Sequence, residues 1–267
     1  MDKSATALTI AGSDSGGGAG IQADLKTFSA LGVFGTSAVT AVTAQNTLGV
    51  TGIAPVPDDL ITAQIKAVLD DIGADAVKIG MLGTANVVET VARALADYRG
   101  SVVLDPVMVA KSGDALLADA AIAALRVHLV TRAELLTPNL PEAARLLETE
   151  VAHSAEEVIA QGCALLAMGA KAVLMKGGHA HGPVCIDRLI TATDVTELSA
   201  PRIDTRNTHG TGCTLSSAIA AHLAGGLPLT EATRRAHEWL HQAILAADRL
   251  AIGAGHGPVH HFHAVWI

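Results

Sequence analysis

The chain has 267 residues, half of them hydrophobic, 16% charged and 2% aromatic, with a formal net charge of −8. That length suits one large domain, and the apolar share excludes intrinsic disorder, which requires low hydrophobicity and high net charge. The acidic balance and the scarcity of rings (three Phe, two Trp, one Tyr) exclude a nucleic-acid platform, which needs basic surface and stacking aromatics.

Met1-Asp2-Lys3-Ser4 leads directly into an apolar run, with neither the basic segment nor the small-residue cleavage site of an export signal. The first strand is expected at 7–11 and a helix at 21–31. A second strand is expected at 37–44, then a helix opening at Pro57-Asp58-Asp59 with Leu60, Ile61, Ile65, Val68, Leu69 and Ile72 on one face. Strand and helix then alternate: strands at 74–79, 102–105, 135–137 and 172–175, helices at 85–98, 119–129, 141–147 and 154–168. Residues 184–198 differ, reading as two short strands around a Thr-Asp turn, antiparallel at a sheet edge. Helices at 214–224 and 231–250 complete the chain. Such alternation predicts a single three-layer α/β/α domain over 1–267, with a mostly parallel central sheet and helices on both faces. The longest uncharged stretches, 27–57 and 207–230, are broken by Gly, Thr, Ser, Gln or His, so neither supplies the ~20 apolar residues of a membrane span. Cys163, Cys185 and Cys213 are odd in number and widely spaced, which predicts no disulfide framework and a reducing, cytoplasmic setting.

In an open parallel sheet, ligands bind outside the carboxyl ends of the strands. After the first strand comes Gly12-Ser13-Asp14-Ser15-Gly16-Gly17-Gly18-Ala19-Gly20, with five glycines in nine residues. It is neither a dinucleotide fingerprint nor a Walker loop, but it lets backbone approach a ligand closely. A second glycine-rich element, Thr208-His209-Gly210-Thr211-Gly212-Cys213-Thr214, opens a helix whose free amides and positive dipole suit an anion. Cys213 falls in that first turn, where the same field is expected to lower a thiol pKa. Three further strand ends carry polar groups: Asp105-Pro106, Asn139-Leu140-Pro141-Glu142, and Lys176-Gly177-Gly178-His179. Carboxylates with an Asn suit Mg²⁺, and a lysine beside a glycine turn suits phosphate as a point charge. Together they point to a nucleotide phosphoryl-transfer site. Gln45 offers a donor and an acceptor for the edge of a heteroaromatic ring, and Met81 a polarizable contact for its face; from spacing alone, a turn amide and a core methionine serve equally. The histidines of the tail, His260, His261 and His263, lack carboxylate or cysteine neighbours at zinc spacing and are expected to be structural.

Taken in order, Ala11–Asp14, 20–27, 43–47, 78–81, 105–108, 137–142, 176–179, 207–214 and 257–263 closely resemble the bacterial hydroxymethylpyrimidine/phosphomethylpyrimidine kinases of thiamine biosynthesis. The resemblance implies a ribokinase-like fold, a homodimer, and use of ATP with Mg²⁺. It implies phosphorylation of 4-amino-5-hydroxymethyl-2-methylpyrimidine to the monophosphate and then to the diphosphate. Gln45 matches the pyrimidine-reading glutamine, with Gly12, Asp24, Met81 and Val107 around the same pocket. Gly210, Thr211, Gly212 and Cys213 match the anion hole, where most ribokinase relatives end in an aspartate base and this subfamily has cysteine. Asp105 and Glu142 fall to the metal, and Lys176, Asn139 and Thr211 to the nucleotide. Pyridoxal kinase of the same fold is the nearest alternative, since vitamin B6 presents a similar ring and hydroxymethyl group. A non-catalytic pyrimidine binder would have no need of the phosphoryl-site residues.

Overall fold

The computed structural model describes residues 4–108, 117–178 and 182–266, so His179 lies outside the described residues. Nine strands form one sheet: β1 (Thr6–Asp14), β2 (Phe34–Gln45), β3 (Val50–Pro55), β4 (Ala76–Ile79), β5 (Ser101–Leu104), β6 (Leu135–Leu136), β7 (Ala172–Met175), β8 (Val184–Thr191) and β9 (Val195–Pro201). Their order is β3-β2-β1-β4-β5-β6-β7-β8-β9. The strands from β2 to β7 run parallel, and β3, β8 and β9 add antiparallel edges. Every residue of β4 and β7 is buried, which is why β7 reads as an unbroken apolar run and β4 as one interrupted only by Lys78.

The helices are α1 (Gly20–Ala30), α2 (Asp58–Ala67), α3 (Ala85–Ala94), α4 (Asp119–His128), α5 (Leu140–Leu147), α6 (Ala155–Ala167), α7 (Thr211–Ala224) and α8 (Leu229–Leu245). One face of the sheet is covered by α1, α7 and α8 around Phe28, Leu215, Ile219 and Leu240. The other is covered by α2 to α6 around Ile61, Ile65, Val88, Leu125, Leu146 and Leu165. The three-layer arrangement expected from the alternation is therefore the one observed. Ile61 and Ile65 are fully buried, each worth ~1.5–3 kcal/mol of apolar transfer. The wide apolar face expected after Pro57 is narrower than its spacing implied, because Leu60 is 51% and Ile72 39% exposed. No helix among the described residues is long and apolar enough to cross a membrane.

Two departures bear on the site. Strand β3 was not expected; it pairs with the end of β2 and extends the sheet over Gln45. Helix α7 begins at Thr211, three residues before the expected start, so Thr211, Gly212 and Cys213 form its first turn. The chain enters β1, passes to β2 on one side, and returns to β4 on the other. This reversal opens a crevice between the carboxyl ends of β1 and β4, the position where such sheets hold ligands.

Candidate active site

On one side of the crevice lie residues suited to a flat ring. Gly12 is buried near the end of β1, and a Cβ there would lie 2.5 Å from the Met81 methyl, so the methionine packs directly on glycine backbone. The Met81 carbonyl accepts from Thr40 Oγ1 at 2.9 Å, tying the segment after β4 back to β2. Val107 follows β5 half-buried, its amide bonded to the Asp105 carbonyl at 2.8 Å. Gln45 closes β2, and its backbone is pinned to the glycine-rich loop: Ser15 Oγ accepts from its amide and donates to its carbonyl, both at 2.8 Å. The Gln45 side-chain amide lies 3.1 Å from Thr43 Oγ1 and 3.5 Å from His209 Nε2.

Asp14 organises the loop that follows β1. Its carboxylate accepts from the amides of Gly16 (2.8 Å), Gly18 (3.1 Å) and Ala19 (2.8 Å), and lies 2.9 Å from His209 Nε2. Burial would raise its pKa, but His209 and these amides outweigh that and hold it below the ordinary carboxylate value. Asp24 is placed otherwise than expected. It is fully buried and accepts from Lys78 Nζ at 2.9 Å on each oxygen, from Thr9 Oγ1 at 2.6 Å and from Ser217 Oγ at 2.6 Å. Four hydrogen bonds from three donor groups fill a carboxylate's lone pairs, so Asp24 stands beneath the pocket as a scaffold anion and presents no face to a ligand.

The polar side of the crevice assembles from three strand ends and one helix. Asp105 follows β5, Asn139 precedes α5, Lys176 follows β7, and Gly210 caps α7. Lys176 Nζ bonds Asp105 Oδ1 at 2.8 Å and lies 3.8 Å from Glu142 Oε2. Burial would depress the Lys176 pKa, yet the two carboxylates raise it above the ordinary lysine value. Asp105 moves the opposite way: Lys176 and Lys78 outweigh its burial and lower it. Glu142 is pushed up to about 7 by burial, aided by the negative charge of Asp105 and only partly offset by Lys176. Asn139 and Glu142 also have a local task, since each side chain accepts the other's backbone amide at 2.8 Å in a capping box for α5. This is the capping role that each residue suggests when taken singly at a helix start, and Asn followed three residues later by Glu is its signature.

Among the described residues no side chain caps α7. Gly210 adopts φ +79°, and a Cβ there would overlap the Gly18 carbonyl, so only glycine lets the two glycine-rich loops touch. A Cβ at Gly212 would stand 3.3 Å from Lys176 Nζ and 3.6 Å from Asp105 Oδ2, which places the open end of the helix beside that ion pair. The Cys213 thiol lies in the same turn, but its expected low pKa is corrected. Burial pushes it up to about 11, with Asp24 and Asp105 adding to the rise and Lys78 and the Gly20 amide only moderating it. The helix field acts on a thiol largely withdrawn from water, and desolvation wins.

Asp105 and Glu142 supply hard oxygen donors, and among the described residues Asp105 Oδ2 has only the Ser216 hydroxyl, at 3.4 Å. Among the described residues no group of three or more His, Cys, Asp or Glu side chains is assembled around an ion. Two carboxylates with unfilled acceptor capacity fit Mg²⁺, which keeps its waters and shares its shell with phosphate, and do not form an all-protein cage.

A family model described as phosphomethylpyrimidine kinase matches residues 14–260. A hydroxymethylpyrimidine/phosphomethylpyrimidine kinase from Rhizobium meliloti is 54% identical, over 98% of this chain and 98% of that one. A solved phosphomethylpyrimidine kinase from Clostridium difficile is 42% identical with TM-score 0.80, covering 90% of this chain and 99% of that one. The pyridoxal kinase of Staphylococcus aureus in complex with AMP-PCP and pyridoxal is 31% identical with TM-score 0.91, covering 100% and 96%.

Proposed function

The chain belongs to the phosphomethylpyrimidine kinase family, and from that premise we propose that it transfers the γ-phosphoryl group of ATP first to the hydroxymethyl oxygen of 4-amino-5-hydroxymethyl-2-methylpyrimidine and then to the resulting monophosphate. The observation that carries this reading is the convergence of Lys176, Asp105 and Glu142 on the uncapped first turn of α7. Phosphoryl transfer asks a protein for positioning and charge neutralisation far more than for covalent chemistry. The amides of Gly210 to Cys213 supply donors for the equatorial oxygens. Lys176 offsets charge on the nucleotide phosphates, with Thr211 and Asn139 beside it. Asp105 and Glu142 would hold Mg²⁺, which when bound neutralises phosphate charge. Gly12, Met81 and Val107 enclose the ring, and Gln45 reads its edge.

The resting Cys213 is a thiol. A pKa of about 11 leaves roughly one thiolate in ten thousand at pH 7. The loose transition state makes little demand on an early proton acceptor, so that small population takes the hydroxymethyl proton as the O–P bond forms. The second acceptor is a phosphate already ionised at neutral pH and needs no base.

The setting this proposal implies is a cytoplasmic homodimer. Light scattering reads the mass directly. The decisive assay couples ADP release to turnover. ADP release should depend on the pyrimidine alcohol and reach two per molecule, with pyridoxal turned over more slowly. Release unaffected by the pyrimidine overturns the assignment, and faster turnover of pyridoxal transfers it to vitamin B6.

A further inference from the structure

His209 carries none of the roles assigned above, yet three segments meet on it. Its Nε2 faces Asp14, its ring packs on Gly18 where a Cβ would overlap it, and its backbone amide bonds the Gly257 carbonyl of the C-terminal tail at 3.0 Å. It also stands 3.5 Å from the amide of Gln45, the residue read above as contacting the substrate edge.

Protons decide what that contact is, because amide orientation is fixed by the surrounding donors and acceptors. Every other partner of the Asp14 carboxylate is a backbone N–H, so it accepts from His209 as well, and Nε2 carries the hydrogen. That nitrogen then has no lone pair for Gln45. On the other side, Thr43 Oγ1 has one hydrogen and spends it on the Ser13 carbonyl at 2.9 Å. It can therefore only accept from Gln45. With Oε1 toward Thr43 and Nε2 toward His209, one hydroxyl would need two hydrogens and two N–H donors would stand head to head. Turning the amide by 180° removes both conflicts: nitrogen donates to Thr43 Oγ1, and oxygen lies 3.5 Å from the protonated His209 nitrogen, drawn to its positive end although the hydrogen itself is given to Asp14. Two independent constraints select the same orientation.

We propose that His209, clamped by Asp14, is a positioning residue that fixes the Gln45 amide in this turned orientation, and that this orientation selects a 4-amino over a 4-oxo pyrimidine. The inference rests on Gln45 being the edge reader. With one N–H given to Thr43 and the oxygen held on the His209 side, the amide keeps one N–H and its oxygen for the ring, side by side and in a fixed order. A 4-aminopyrimidine edge presents a ring-nitrogen acceptor beside an amino donor and matches one order. A 4-oxopyrimidine edge presents a ring N–H beside a carbonyl and matches only the reverse. Losing His209 frees the amide to turn for either ring.

The test compares kcat/KM for the 4-amino substrate and its 4-oxo analogue in wild type, His209→Leu, His209→Gln and Thr43→Val, with calorimetric Kd values for both compounds beside the rates. His209→Leu should lower the amino-to-oxo ratio at least about tenfold, the scale on which a site built around specific hydrogen bonds rejects a mismatch. His209→Gln, which restores an N–H at similar reach, should keep the ratio within about threefold of wild type. Thr43→Val should lower it by the other route. Equal losses on both compounds in His209→Leu, with the ratio unchanged, assign His209 to loop structure alone and overturn the proposal. Should His209→Leu fail to fold, an unchanged ratio in Thr43→Val overturns it equally. Gln45→Ala separates the premise: if that variant leaves the ratio at the wild-type value, Gln45 is not the reader and the pocket assignment falls. A ratio that changes in Gln45→Ala but not in the His209 and Thr43 variants sinks only the orientation.

Discussion

Two aspartate–lysine pairs stand at the carboxyl side of the sheet, and they are built to opposite specifications. Asp24 and Lys78 have fully buried side chains, and Asp24 collects four hydrogen bonds at 2.6–2.9 Å from three donor groups. Asp105 and Lys176 bond just as closely, at 2.8 Å, but their surroundings are incomplete. Glu142 sits 3.8 Å from the same ammonium, the Ser216 hydroxyl reaches Asp105 Oδ2 only at 3.4 Å, and Lys176 retains 14% exposure. A buried ion pair offsets its desolvation only when its remaining lone pairs are satisfied. The first pair satisfies them from the protein and serves the scaffold. The second leaves lone pairs that the protein does not fill, the capacity that the proposed phosphate and divalent cation would take up. Cys213 lies between the two pairs, within the fields of Lys78 and Asp105.

Cys213 offers the largest test of that division. Cys213→Ala removes a side chain from the functional half, so stability should hold while the alcohol step loses ~10²–10⁴-fold in kcat, the usual worth of a positioned base. Cys213→Ser should impair the first phosphorylation more than the second, measured with alcohol and monophosphate separately. Because the thiol pKa is pushed up to about 11, wild-type kcat for the alcohol should climb about tenfold per unit between pH 7 and 9 while the monophosphate step stays level. Wild-type turnover by Cys213→Ala would remove the base.

The lysines test the comparison directly. Lys78→Met strands the Asp24 carboxylate without a cation, which should cost ~3–5 kcal/mol in denaturant unfolding. Lys176→Met should leave unfolding less affected, because water at the pocket reaches its site, but should cost ~10²–10³ in kcat through lost phosphate stabilisation. Equal stability losses would mean that both pairs are scaffold.

The division also sets how far the sequence could be read. Asp105, Glu142, Lys176 and the 210–213 turn were legible because each sits at the junction of an apolar run and a glycine or proline, where strand ends must lie. The parallel core was legible for the same reason, since β4 and β7 are buried on both faces. Lys78 was not, because a lysine within an apolar strand has no local partner to betray it: Asp24 lies 54 residues away. His209 and Asp14, 195 residues apart, meet only after folding. The hairpin strand β3 was lost because Thr51 to Pro55 are exposed and carry Gly52 and Pro55, so no buried face imprints an alternation. The direction of the Cys213 shift depends on burial, which helix position alone does not determine.

The smallest effect belongs to Glu142, and its sign is diagnostic. Its folded pKa of about 7 lies above the ordinary 4.5, so between those values the native state holds a proton that the unfolded chain has released. Stability then falls as pH rises through that window. Unliganded wild type should therefore lose Tm from pH 5 to 7.5 relative to Glu142→Gln, which has no such proton, by on the order of a few °C for a chain of this size. A scaffold carboxylate with a depressed pKa would be ionised in both states across this window and give no slope there, losing stability only at lower pH as it protonates. Adding ADP with Mg²⁺ should reverse the trend, because a cation binds the ionised carboxylate and its affinity should weaken as pH drops below about 7. A Tm difference between the two proteins that ignores both pH and nucleotide would place Glu142 with Asp24, as a carboxylate whose partners are already complete.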